Sequence, residues 1–246
     1  MKISLKLRTC DLVRDDNGYN MWQVKEEAIS FKTEETALLI CDIWDRHWSK
    51  GAEERSGILA CRINYAAAKA REKGITVIHA PSDTMAYYKG SHARERITGV
   101  PTLVPPEICT IIEKALPIDD SGGGSDTGET SFDAVWTRQD PAIRIDEEKD
   151  VISDSGIEIY GYMMQKGIGT LIYTGVHTNL CILDRSFGIR QMMRWGIHTL
   201  LARDLTDSAY DPAKPPYVTH EEGTGLVIGY IEKFLCPSFA ASDLLR

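Results

Sequence analysis

Hydrophobic positions along the chain change period in a regular order. TALLICDIW (residues 36–44) is an unbroken apolar run closing on charge, the pattern of a parallel strand covered on both faces. From about 53 to 73, Leu59, Ile63, Ala66 and Ala70 recur at helical spacing, and Gly74 supplies a C-terminal stop. ITVIHA (75–80) predicts a second buried strand, followed by the polar Ser82-Asp83. After an irregular stretch the alternation resumes. The pattern predicts a helix over 155–166, a strand GTLIYTG over 169–175, and a helix from 178 to 195 stopped by Gly196. A strand HTLLARD over 198–204 and a last helix over 222–235 follow. Buried strands alternating with helices predict an α/β fold, a doubly wound and mostly parallel sheet with right-handed crossovers. Ligands in such sheets sit beyond the carboxyl ends of the strands. That rule singles out Asp42, Asp83, the turn at 175–181 and Asp204.

Two stretches depart from the alternation. Residues 1–35 read as an N-terminal β-hairpin appended to a single domain over 36–246: two alternating segments flank Asp15-Asp16-Asn17-Gly18, a strong hairpin signal. Residues from about 99 to 148 form an irregular insertion, with a short helix expected over 106–115 and a flexible loop at Ser121–Gly128. The glycine run in that loop lacks the Lys-Ser/Thr of a phosphate-binding loop, and no strand leads into it.

Composition narrows the function classes. The 246 residues carry 36 acidic and 28 basic side chains, a net charge of −8. This balance argues against nucleic-acid or anionic-membrane partners, which call for basic faces. No apolar run reaches the roughly 18 residues of a membrane span. Charges interrupt the opening MKISLKLRTCDLVRDD before any signal-peptide core forms. Six scattered cysteines with no C-x-x-C pair read as reduced thiols of a cytoplasmic protein.

The richest stretch is Tyr173-Thr-Gly-Val-His-Thr-Asn-Leu-Cys181. It reads as strand, tight turn, then Cys181 in the first turn of a helix capped by Thr178, where the positive helix end lowers a thiol's pKa. A buried structural cysteine fits the spacing equally well. Asp42 can serve as proton acceptor at the end of a neighbouring strand, or simply cap a helix. Lys149, in Asp146-Glu-Glu-Lys-Asp150, reads by itself as part of a solvated turn. His177 is an alternative base for Cys181. His220 beside Glu221 and Glu222 is a weak metal candidate, since the six histidines show no paired ligand spacing. Trp44, Trp48, Tyr87, Tyr88, Trp136 and Arg138 are candidate pocket residues, with Arg138 positioned to bind a substrate carboxylate.

Asp42 closing TALLICDIWD, Lys149 in KDVISDSG, and Cys181 in LIYTGVHTNLC resemble, in order and gap length, the three motifs of the isochorismatase-like cysteine hydrolases. That superfamily includes nicotinamidases and N-carbamoylsarcosine amidases. The resemblance spans roughly residues 36–205. It implies an Asp42–Lys149–Cys181 triad on a Rossmann-like fold, a cis peptide at Val176–His177, and an oxyanion hole from the backbone N–H groups of His177 and Cys181. It also implies a homo-oligomer (dimer or tetramer), a small-molecule substrate and no cofactor. The chain departs from the family in three places. Trp44 stands where a glutamine is usual, Ser153-Asp-Ser155 replaces Ser-Ala-Phe, and Asp83 is followed by Thr84-Met85 instead of completing the Asp-x-His metal ligands of nicotinamidases. The expected activity is cysteine-dependent hydrolysis of a C–N bond in a small amide or ureido compound. An isochorismatase-type ether hydrolase and a non-catalytic small-molecule-binding module are the competing readings.

Overall fold

A computed structural model of the chain describes residues 1–111 and 114–246. The central strands are β3 (Thr36–Cys41), β4 (Thr76–Ala80), β6 (Thr170–Val176) and β7 (His198–Asp207), all parallel where they pair. Short strands β5 (Val151–Ile152) and β8 (Ser238–Phe239) flank them. The hairpin strands β1 (Lys2–Arg14) and β2 (Asn20–Lys32) extend the sheet, giving the order β2-β1-β8-β7-β6-β3-β4-β5. The hairpin turn is closed by the Asp15 carboxylate, which accepts from the N–H groups of Asn17 and Tyr19 at 2.9 and 2.8 Å. The hairpin is tied in more closely than an appendage: β1 pairs with β8 at Arg8–Ser238, and Ile3, Leu5 and Leu7 enter the main core.

Alternate residues of the buried strands feed two cores. Leu38 and Ile40 pack with Leu59, Ile63 and Ala66 of α1 (Lys50–Glu72). Ala37, Leu39 and Cys41 face the other side, with Ile159 of α3 (Gly156–Lys166), Ile182 of α4 (Cys181–Asp184), and Val227 and Ile231 of α6 (His220–Phe234). The remaining helices, α2 (His92–Thr98), α5 (Ile189–Arg194) and α7 (Ser242–Leu245), are short. No helix among the described residues is long and apolar enough to cross a membrane.

Three local expectations need correction. The helix expected over 178–195 is two helices, α4 and α5, separated at Arg185–Gly188. The break is packed from outside: Gly156, at the start of α3, lies so near Ser186 that a Cβ there would be 1.9 Å from the Ser186 carbonyl oxygen. No helix forms in 106–111 or 114–115, and residues 112–113, part of that same expectation, lie outside the described residues. The glycine loop is pinned, not free. Ser121–Gly124 makes a 3-10 turn, and Lys214 Nζ donates to the Ser121 carbonyl and hydroxyl.

The insertion is braced across the carboxyl ends of the strands. Asp126 takes two bonds from the Arg55 guanidinium at 2.7 and 3.1 Å, and Asp120 accepts from Asn179 at 3.0 Å. Gln139 binds buried His79 Nδ1 at 2.9 Å, while His79 Nε2 meets Asp150 at 2.9 Å. Arg71 grips the same carboxylate through Nε at 2.9 Å and a terminal nitrogen at 2.6 Å. Burial favours a protonated Asp150, but the bonds from His79 and Arg71 prevail and hold its pKa down at about 2. The unfolded value is about 4. Asp150 thus contributes its full stability above pH 4 and loses it as pH falls toward about 2. Asp150→Asn is expected to cost about 3 kcal/mol at pH 7, because it strands a buried guanidinium. Urea titrations at pH 7 and pH 2.5 check this: the gap between wild type and variant should shrink at the lower pH.

Candidate active site

Asp42 follows the last residue of β3 and carries φ 48°, a left-handed conformation that costs a non-glycine residue about 1 kcal/mol. Its geometry is over-determined by neighbours. The Asp42 N–H donates to the Ala80 carbonyl at 3.1 Å, and one carboxylate oxygen accepts from the Ser82 N–H at 2.7 Å. The other oxygen accepts from Arg185 Nε at 3.2 Å. Arg185 also reaches Asp83 at 3.3 Å, so a single guanidinium spans a fully buried and a solvent-facing carboxylate.

Cys181 arrives from the adjacent strand. Gly175 sits at φ 108° against Cys41, where a Cβ would lie 2.0 Å from the Cys41 carbonyl oxygen, so only glycine lets β3 and β6 close here. The chain then passes through a cis Val176–His177 bond and a turn. The Thr178 N–H donates to Asp207, and the Leu180 and Ile182 N–H groups both donate to the His177 carbonyl. Thr178 does not cap the helix: α4 starts after Leu180 without a side-chain cap, and the Thr178 hydroxyl bonds Thr206 at 2.6 Å instead. Asn179 is buried and holds Ala209 through both ends of its amide.

Burial pushes the Cys181 thiol well above its ordinary range and the Asp42 carboxylate pushes it further, with Arg185 opposing. The helix-end depression expected from the sequence loses to these effects, because α4 is a single turn and the sulfur faces a buried carboxylate. Asp42 is itself raised by burial, against the pull of Arg185, the Ser82 N–H and the thiol. The thiol therefore keeps its proton, and Arg185 lies against the carboxylate beside it.

The structure does not bring Lys149 to this site. β5 runs parallel to β4 with Val151 beside Ile78, so Lys149 lies near Thr76 at the amino end of β4, lining a surface pocket with Arg71 and Gly74. Asp42 and Cys181 lie at the opposite, carboxyl end. Sequence reasoning missed Arg185, although its spacing of four from Cys181 puts the two on one helical face. Asp204 lies within β7, bonded to the Ala241 N–H, away from the pair.

Other candidates gather around Trp44. Its indole N–H donates to the Ser82 carbonyl at 3.0 Å, and its ring stacks on Trp136 at 4.2 Å between centroids. Arg138 is engaged elsewhere, donating to the Tyr87 hydroxyl at 2.7 Å and facing Asp45 at 3.9 Å. His177 is no base for Cys181. Burial and the neighbouring His47 push its pKa down to about 3, and its ring packs edge-on to His47 at 5.1 Å. His220 bonds the Tyr210 carbonyl and Asp207. The position that anchors a metal in nicotinamidases is unsuited here, since Arg185 holds Asp83 and the Thr84 hydroxyl donates to the Pro81 carbonyl. Among the described residues no group of three or more His, Cys, Asp or Glu side chains is disposed to hold a metal ion.

Solved structures match this arrangement of strands and helices. A cysteine hydrolase from Pseudomonas syringae pv. phaseolicola 1448A is 16% identical over 88% of this chain and 93% of its own, with a TM-score of 0.52. An isochorismatase family protein from Burkholderia thailandensis is 15% identical over 86% of this chain and 96% of its own, with a TM-score of 0.50. The fold is isochorismatase-like. No family model and no curated protein matches the sequence, so the likeness is one of fold. Here an arginine just past the end of α4 is set against the strand-end aspartate.

A protonated resting thiol has a direct consequence. At pH 8, iodoacetamide is expected to alkylate Cys181 at least tenfold more slowly than exposed Cys61 and Cys109. Asp42→Asn, which removes the opposing carboxylate, should narrow that gap. Peptide mapping of the time course measures both.

Proposed function

We propose that the chain is a cysteine hydrolase of the isochorismatase-like superfamily. It cleaves a C–N bond of a small amide or ureido compound through a thioester on Cys181, with Asp42 as proton carrier and Arg185 in the role expected of Lys149. The observation that carries this reading is the placement of fully buried Asp42 and partly buried Cys181 just past the carboxyl ends of the adjacent strands β3 and β6, with Arg185 on the carboxylate. The Pseudomonas syringae fold relative is named a cysteine hydrolase, which supports the reaction class. A nucleophilic sulfur suits a carbonyl carbon, and this favours amide over ether cleavage.

Asp42 takes the thiol proton as sulfur bonds to the substrate carbonyl carbon. The N–H groups of His177 and Cys181 hold the resulting oxyanion. Asp42 then passes the proton to the departing nitrogen as the C–N bond breaks, leaving the acyl group on sulfur. Water attacks the thioester, losing a proton to Asp42, and that proton returns to the sulfur as it leaves. Arg185 keeps its proton throughout and acts as a fixed charge.

The test is intact-protein mass spectrometry after incubation with a panel of amides and ureides, with turnover measured in parallel. A substrate-derived acyl adduct should map to Cys181 and vanish in Cys181→Ser. Asp42→Asn is expected to lower kcat/KM by at least 100-fold, and Arg185→Met by a comparable factor. Lys149→Ala should leave it unchanged. Because burial raises Asp42 above its ordinary value, the acid limb of the kcat/KM profile should lie above the usual carboxylate range. Turnover that survives Cys181→Ser undiminished would refute the scheme.

A further inference from the structure

Beside the reacting pair lies a cluster of four rings. Trp44 and Trp136 stack at 4.2 Å with an interplanar angle of 11°, and His47 lies 6.0 Å from Trp136 and 5.1 Å from His177. The cluster touches both halves of the site. Trp44 hangs from the Ser82 whose N–H holds Asp42, and the His177 carbonyl accepts from Leu180 and Ile182, the residues on either side of Cys181. Two of its polar atoms, Trp136 Nε1 and His177 Nε2, are buried without a hydrogen-bond partner, and His177 as a whole is only 3% exposed. A buried polar atom left unpaired costs about 1–3 kcal/mol. Two such atoms on rings that both pack against His47, close to Asp42 and Cys181, mark a place built to receive polar atoms from elsewhere.

The surrounding charges limit what that can be. Arg55 is matched by Asp126 and Asp207, Arg138 faces Asp45, and Arg185 is matched by Asp42 and Asp83. These three guanidiniums are therefore already committed to carboxylates. His47 is pushed down by burial and His177 lies at about 3, so both imidazoles are neutral at pH 7. We infer that Trp44, His47, Trp136 and His177 form the subsite for an uncharged, planar group of the substrate. The Trp136 N–H donates to an acceptor on that group, and His177 Nε2 makes a second hydrogen bond to it. The word substrate rests on the hydrolase reading above; the recognition itself does not.

Calorimetry on the full-length Cys181→Ala protein tests binding without turnover. Benzamide is the uncharged planar probe, cyclohexanecarboxamide its puckered counterpart, and 4-carboxybenzamide its anionic one. Benzamide is expected to bind at least tenfold more tightly than either of the others. Trp136→Phe keeps a ring in the stack but removes the N–H, and should weaken benzamide about tenfold, the equivalent of about 1.4 kcal/mol. His177→Phe should weaken it by a similar factor, and His177→Gln by less. Equal affinities across the three probes, tighter binding of the anion, no binding of benzamide at millimolar concentration, or indifference to Trp136→Phe would each overturn the inference. If benzamide binds as expected while wild-type protein forms no adduct on Cys181 with any amide or ureide, the hydrolase reading fails and the recognition subsite stands.

Discussion

The constraint on which this site depends is a fully buried carboxyl set beside a partly buried thiol. Removing Asp42 and Cys181 from water raises both groups, and neither can be charged there alone. Arg185 makes the arrangement tenable by placing a permanent positive charge against the carboxylate. The surrounding architecture serves that contact. The glycine at 175 allows two strands to close, the left-handed turn at Asp42 aims a carboxylate across them, and the break after α4 lets Arg185 fold back.

The choice of cation matters chemically. A lysine can share its proton with a neighbour, whereas a guanidinium keeps its own at any pH a folded protein survives. In the proposed scheme proton transfer therefore has a single carrier, Asp42, while Arg185 sets the potential in which it works. Its second carboxylate, Asp83, is solvent-facing and also left-handed at φ 65°, so the guanidinium is oriented from both sides.

Much of the fold could be read from period and composition alone. β3 and β6 are buried along their whole length and β4 nearly so, β7 opens on the buried run Thr199–Ala202, and the α1 stripe of Leu59, Ile63, Ala66 and Ala70 is the matching helical signal. Where contacts distant in the chain decide the outcome, local pattern failed. Residues 178–195 read as one helix because periodicity does not report the break at Arg185–Gly188, where Ser186 packs against Gly156 some thirty residues earlier and Gly188 packs on Leu183. Lys149 seemed usable because motif order does not say which end of a strand a residue occupies. The register of β5 against β4 decides that, and it places the lysine at the far end of the sheet. Asp42 and Cys181 were legible because strand-end position and a tight turn are local features. The partnership of Trp44 with Trp136 depends on the path of the insertion, which no periodicity reports.

The insertion is stapled at a few separate points: Asp120 to Asn179, Asp126 to Arg55, Thr137 to Asp45, and Gln139 to His79. Between these staples the chain carries no regular secondary structure beyond one 3-10 turn and a lone bridge at Trp44–Gln139. Mutational drift in the intervening residues can remodel the wall facing a bound molecule while the anchors keep the reacting groups in register. Diversification of ligand preference is thereby uncoupled from preservation of chemistry, within a single stretch of polypeptide.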